Sequence, residues 1–321
     1  MSILIPITIE RKRITNLQLV KLLGLAVRGR LKYCVAMGYY IAEFNCKKEI
    51  PDMETIPFKD GIIYGPINSR RLGQSLGLNI SPLSYKLCSF NCVYCQYGWT
   101  AVHSLDTNER LTDFPTLETF SRALEAALQE DIEVDNITFS GNGEPTLHPQ
   151  FAELVDIAGE LKELFRPQAR MGILSNSSTL TDDKVYQALT RLDFRIMKLD
   201  AGNPEILTRI NLPCRGNSFE TIVTKLKYLG NIILQTMFVA GEIQNIDHQE
   251  VTEWIQRVCE INPLKVQIYS LHRPPADGSL QEVPREKLQE IAARVQQLTE
   301  VPVEMVAASS PYFPVKRRVW K

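Results

Sequence analysis

Three cysteines fall within eight residues, Cys88-Ser-Phe-Asn-Cys92-Val-Tyr-Cys95, spaced C-x3-C-x2-C with Tyr94 directly before the last. Thiolates this close on one loop can converge on one metal centre, and soft sulfur ligands select zinc or iron–sulfur. A structural zinc site takes four protein ligands, and an all-cysteine cluster site also takes four. No fourth cysteine lies nearby in sequence. Three ligands and a gap point to a cluster with an open iron, where chemistry can occur. His103, eight residues beyond Cys95, offers another way to complete the set, as a Cys3His zinc site.

More polar and glycine-rich stretches recur downstream: Ser140-Gly-Asn-Gly-Glu-Pro145, Ser175-Asn-Ser-Ser178, Lys198-Leu-Asp200-Ala-Gly202, Ala240-Gly241-Glu242 and Tyr269-Ser-Leu-His-Arg-Pro-Pro275. The glycines of Gly141-x-Gly143 allow a tight turn or a close backbone approach to a ligand. Beside a metal site, such a backbone can clamp an amino-acid moiety. Asn176 and Asp200 can hydrogen-bond ribose hydroxyls, and equally can serve as turn formers. His272 and Arg273, and Arg70 and Arg71 earlier in the chain, can face a substrate or simply the surface.

The elements that position these stretches follow from periodicity. Ser75 to Ile80 reads as a strand feeding the cysteine loop. Thr116 offers an N-cap to a helix through Gln129, with Leu117, Phe120, Leu124 and Leu128 at helical spacing. Strands over Ile137–Ser140, Met171–Leu174, Phe194–Leu199, Ile232–Val239 and Val266–Leu271 alternate with helices begun near Phe151, capped by Thr181 and by Ser218, carrying Val251 and Trp254, and opened by Pro284. Six alternations of strand and helix are the signature of βαβ units on a parallel sheet. A complete eight-fold barrel needs about 250 residues, so the expected fold class is α/β, a partial (β/α)6 TIM-type barrel with an N-terminal extension. An open doubly wound sheet is the alternative. Either way, the polar stretches all follow strands, at the carboxyl edge where such folds gather ligands.

Three segments together carry a resemblance: Tyr64-Gly-Pro-Ile-Asn-Ser-Arg70-Arg71-Leu-Gly73, Leu87-Cys88-Ser-Phe-Asn-Cys92-Val-Tyr-Cys95-Gln-Tyr97, and Ser140-Gly-Asn-Gly-Glu-Pro-Thr-Leu-His-Pro149. The chain resembles the radical S-adenosylmethionine superfamily, in the branch that contains the tRNA wyosine-synthesis enzymes. The likeness covers about residues 62–305. It implies that Cys88, Cys92 and Cys95 each ligate one iron of a [4Fe–4S] cluster. The fourth iron would then hold the amino and carboxylate groups of S-adenosylmethionine. It also implies reductive cleavage of that cofactor to a 5′-deoxyadenosyl radical, which takes hydrogen from a substrate. By motif match, Gly143, Glu144 and Pro145 hold the methionine end, Tyr94 packs near the adenine, and Asn176 and Asp200 reach the ribose. An electron donor of flavodoxin or ferredoxin type is implied as a partner. The wyosine branch carries a second cysteine triad upstream, whereas here only Cys34 and Cys46 precede Cys88.

Composition sets the remaining expectations. With 321 residues, 44% of them hydrophobic and 23% charged, the chain can bury a large core. No run of about 18 uncharged apolar residues suggests a membrane span, and no signal peptide is recognisable. Seven cysteines without a secretory signal point to a reducing cytoplasm. Cys34, Cys46, Cys214 and Cys259 are expected to act as buried apolar residues. Residues 1–50 carry nine Lys or Arg and three acids, so a basic N-terminal extension (1–60) precedes a core (62–305) and a tail (306–321). An RNA substrate would suit the basic extension, as would a plain solvated flank. The tail, ending Lys316-Arg-Arg-Val-Trp-Lys321, is expected to fray.

Overall fold

The structure, a computed structural model, describes residues 34–37, 40–43, 55–69, 73–216, 218–306 and 318–320. The chain divides into two units, Met1–Met53 and Glu54–Lys321. In the first, Cys34–Met37 and Tyr40–Glu43 pair as antiparallel strands. The basic residues 1–33 and the arginines Arg70 and Arg71 lie outside the described residues.

The second unit is built on a nine-stranded sheet. Its parallel strands are β1 (Gly73–Leu78), β2 (Asn136–Phe139), β3 (Arg170–Ser175), β4 (Phe194–Lys198), β5 (Ile233–Met237), β6 (Lys265–Tyr269) and β7 (Val303–Met305). Each strand lies beside the one before it in the chain. A doubly wound sheet reverses its strand order at a switch point; this one never does. Its order is that of the expected partial barrel, with β7 a seventh parallel strand beyond the six that periodicity gives. On the far side of β1, Ile63–Ser69 runs antiparallel, and Arg318–Trp320 pairs in turn with Ile63–Gly65. The tail is therefore anchored at residues 318–320 rather than frayed.

Helices α1 (Leu117–Gln129), α2 (Phe151–Phe165), α3 (Asp183–Thr190), α4 (Pro204–Asn211), α5 (Phe219–Leu229), α6 (His248–Ile261) and α7 (Arg285–Leu298) fill the crossovers. Thr116 caps α1, its hydroxyl accepting the Thr119 N–H at 3.1 Å, and Phe120, Leu124 and Leu128 turn one apolar stripe to the core. The cap of α3 is Asp182 rather than Thr181: its carboxylate accepts the N–H groups of Lys184 and Val185. The short α4, capped by Asn203, is absent from the periodicity reading. Every residue of β2 is buried, as strands covered on both faces must be. Cys214 is half-buried and Cys259 exposed, which corrects the expectation for both. Among the described residues, no helix is long and apolar enough to cross a membrane.

Candidate active site at the strand ends

A cavity of about 380 Å³ opens at the carboxyl ends of the strands. Cys88, Cys92, Tyr94 and Cys95 line it from the loop after β1, Gly141 and Gly143 from the loop after β2, and Lys198 from the end of β4. Gln235 of β5, Tyr269 of β6 and the following His272 and Arg273 add further polar groups to the wall.

Long-range backbone bonds hold the cysteine loop. Leu87–Cys88 pairs with Val102–His103, and the Ser89 carbonyl accepts the Cys214 N–H at 2.9 Å. The end of α4 grips the centre of the loop: Val93 N–H donates to the Ile210 carbonyl at 3.0 Å and Asn91 N–H to the Asn211 carbonyl at 2.9 Å. Gly143 explains how the next strand end reaches this loop. A Cβ there would stand 1.8 Å from the Leu87 carbonyl oxygen, so only glycine lets the two backbones touch.

Lys86, 3% exposed, sits beside all three thiols. Its ammonium donates to the Gly98 carbonyl at 3.0 Å. Burial disfavours its charge, but the neighbouring thiols outweigh that and hold its pKa above the ordinary lysine value. Burial pushes the Cys88 thiol far up and the Cys92 thiol up as well. Thiols so buried ionise only when a metal's charge compensates them. A buried cation, and amide donors to two of the three sulfurs that line the cavity, fit an anionic cluster. Among the described residues, no three Cys, His, Asp or Glu side chains form a group that could hold a single ion. His103 is exposed, with Nε2 3.2 Å from the Ser89 carbonyl.

The remaining expected residues surround this core, and several turn inward to the protein. Glu144 is 3% exposed and fully engaged. Its Oε1 accepts from Thr146 Oγ1 at 2.6 Å and Ser175 Oγ at 2.9 Å, and its Oε2 from the Asn176 N–H at 2.6 Å. It ties the end of β2 to the end of β3. Pro145 starts a buried 3-10 turn. Neither residue's side chain lines the cavity, so contact with a ligand from this segment falls to backbone groups and Gly143. Asn176 Nδ2 points to the cysteine loop, 2.9 Å from Ser89 Oγ and 3.5 Å from Cys88 Sγ.

Asp200, 2% exposed, gathers four donors. Its Oδ1 accepts the Met237 N–H at 2.7 Å and the Lys198 ammonium at 3.0 Å. Its Oδ2 accepts Asn211 Nδ2 at 2.7 Å and the Tyr94 hydroxyl. Lys198 lies between the Tyr94 and Tyr269 rings, 4.9 and 5.0 Å from their centroids. Burial acts against its charge, yet Asp200 and Tyr269 outweigh burial and hold it protonated. Burial, then the charge of Asp200, raises the Tyr94 phenol.

Lys86, Asn211 and Gln235 have no role in the sequence reading, in which Tyr269 stands only as the first residue of a polar strand-end stretch. Lys86 alone carried a local signal, two residues before Cys88.

Residues 83–255, more than half the chain, match the Radical SAM superfamily. The chain belongs to that superfamily and is an enzyme of it. Among curated relatives, the UPF0026 protein slr1464 of Synechocystis sp. is 34% identical over 66% of this chain and 76% of its own length. Among solved structures, TYW1 with a lysine-pyruvate adduct bound is similar at a TM-score of 0.52 and 16% identity, covering 70% of this chain and 74% of that one. Streptococcus suis SuiB bound to S-adenosylmethionine is similar at 0.52 and 14% identity, covering 72% of this chain and 50% of that one. These structures share the fold. Membership implies an iron–sulfur cluster and S-adenosylmethionine, and supports the superfamily's general radical mechanism.

Proposed function

We propose that this enzyme holds a [4Fe–4S] cluster on Cys88, Cys92 and Cys95, binds S-adenosylmethionine in the adjoining cavity, and abstracts hydrogen from a substrate admitted there. One observation carries the reading: the three cysteines, with Lys86 beside them, open onto a cavity of about 380 Å³ at the strand ends. When bound, the cluster and S-adenosylmethionine supply the electron transfer and the radical; the chain supplies position and charge.

Gly143 sets the loop after β2 against the cysteine loop, so its backbone can receive the methionine end. Glu144 and Pro145 make that loop rigid from behind. Tyr94 presents its ring to the cavity for the adenine, fixed by the hydrogen bond to Asp200. Lys198 offers a permanent cation to an anionic group of cofactor or substrate. Asn176 and Asp200 are the residues proposed for the ribose hydroxyls; neither lines the cavity, and a direct contact from Asp200 requires one of its four donors to give way.

The substrate class we propose is an RNA base. Its support is the motif likeness to the wyosine branch and the net charge of +6 over residues 1–50. A flavodoxin- or ferredoxin-type donor and a cytoplasmic setting belong to the same proposal.

Anaerobic purification tests the reading. The expected protein is brown, carries about four irons, and makes 5′-deoxyadenosine on reduction, while Cys92→Ala makes none. A colourless protein with one zinc would overturn it. For the substrate, modified nucleosides are compared in cells with and without the gene; identical nucleoside profiles would remove RNA from the proposal.

A further inference from the structure

We propose that Asn211 and Asn176 give the sulfurs of Cys92 and Cys88 one amide donor each, and that these donors, with the buried Lys86 ammonium nearby, set the reduction potential of the cluster; the inference rests on the cluster reading above. Asn211 Nδ2 lies 3.3 Å from Cys92 Sγ and Asn176 Nδ2 lies 3.5 Å from Cys88 Sγ, while Lys86 lines the same cavity wall as the three cysteines.

The orientation of both amides is fixed by other partners. The NH2 group of Asn211 also donates to Asp200 Oδ2 at 2.7 Å and reaches the Tyr94 hydroxyl at 3.2 Å. Flipping the amide would set its oxygen against a carboxylate oxygen. Asn211 is 1% exposed, and its Oδ1 has no hydrogen-bond partner among the described residues. A buried carbonyl left unmatched is unfavourable, so the donor side of this amide determines its placement. In Asn176, Oδ1 accepts the Ser178 N–H at 3.0 Å, so Nδ2, which also donates to Ser89 Oγ at 2.9 Å, is the atom turned to the sulfur. Cys92 and Cys88 therefore meet donors that cannot turn into acceptors. They suit sulfurs that only accept, which is the state of a metal-bound thiolate.

Reduction adds negative charge to a cluster and its sulfurs. Hydrogen bonds to the sulfurs and nearby positive charge stabilise the reduced state and raise the potential. Asn211 and Asn176 act through the cysteines, so both are positioning residues. The link from Asn211 through Asp200 to Lys198 also connects the cluster side of the cavity to its cationic side.

The test is an EPR-monitored redox titration of the reconstituted full-length protein, with iron content measured alongside. Asn211→Leu keeps the volume and removes the donor. Its reduction equilibrium constant is expected to fall roughly tenfold, a shift of about 59 mV to lower potential for a one-electron couple. Asn176→Leu, at the longer contact, should shift less in the same direction. Wild type and variants that hold the cluster at one common potential would overturn the inference while leaving the cluster reading intact. Wild type without iron would remove both. If Asn211→Leu loses its iron, Asn211→Gln and Asn211→Ala decide: iron retained by Gln and lost by Ala supports the donor, and iron lost by all three marks a packing role and overturns it.

Discussion

Gly143 and Glu144 are neighbours with opposite duties at one junction. Gly143 must lack a side chain because the backbone of Leu87 occupies the space a Cβ would need, at 1.8 Å. Glu144 must keep its side chain because three other residues donate to it. Gly143→Ala should push Leu87 and the adjacent Cys88 away, so iron uptake on reconstitution is expected to fall at least tenfold, in line with the cost of disturbing metal-site support. Gly278 is the control, since a Cβ there meets nothing within 4 Å. Gly278→Ala should reconstitute like wild type, and equal iron in the two variants would show that the 143–87 contact does not position Cys88. The cysteines were legible because ligand spacing is local in sequence. Asn211 was not, because its contact with Cys92 spans 119 positions and only the fold brings it there.

The strand–helix alternation was legible for the same reason: each unit repeats a local apolar pattern, α1 begins and ends where periodicity places it, and α2 begins there too. The eight-residue α4 was lost because two turns offer few apolar repeats; α3, equally short, was found from the polar residues at its start. The start of α2 shows another device that pattern reading misses. Gln150 makes no side-chain cap there; instead its N–H donates to His148 Nδ1 at 3.0 Å. His148 Nε2 in turn lies 3.0 Å from the Pro115 carbonyl. The imidazole must stay neutral to accept at Nδ1, and burial lowers its pKa below 6.5. A lowered histidine pKa means the unfolded chain binds the proton first. The contribution of His148 is therefore complete above pH 6.5 and declines as pH falls from 6.5 towards the lowered folded value. Denaturant midpoints for wild type and His148→Gln, measured from pH 7.5 to 5, should converge as the pH falls. A constant difference across that range would show that His148 does not titrate in this way.

At the scale of the whole unit, an open barrel leaves strand edges whose unpaired backbone groups invite association. On the β1 side the solution is antiparallel. Ile63–Ser69 covers β1, and Arg318–Trp320 covers Ile63–Gly65, with the Ile62 N–H donating to the Trp320 carbonyl at 3.0 Å. The last segment reads as a basic tail by composition, because nothing local announces a partner more than 250 residues away in the chain. Its Trp320 packs, half-buried, on the main core, a contact that should contribute about 1–2 kcal/mol from apolar burial. Residues 318–320 line no part of the strand-end cavity. Stability and cofactor chemistry should therefore separate. A chain lacking residues 315–321 is expected to unfold at lower denaturant and to associate more readily in dynamic light scattering, through the bared edge. The fraction that remains folded should still take up iron to the wild-type ratio. Trp320→Ala, which keeps the backbone pairing, should lower the midpoint without promoting association. If the truncated chain unfolded at the wild-type midpoint, the terminal strand would have no part in holding the sheet.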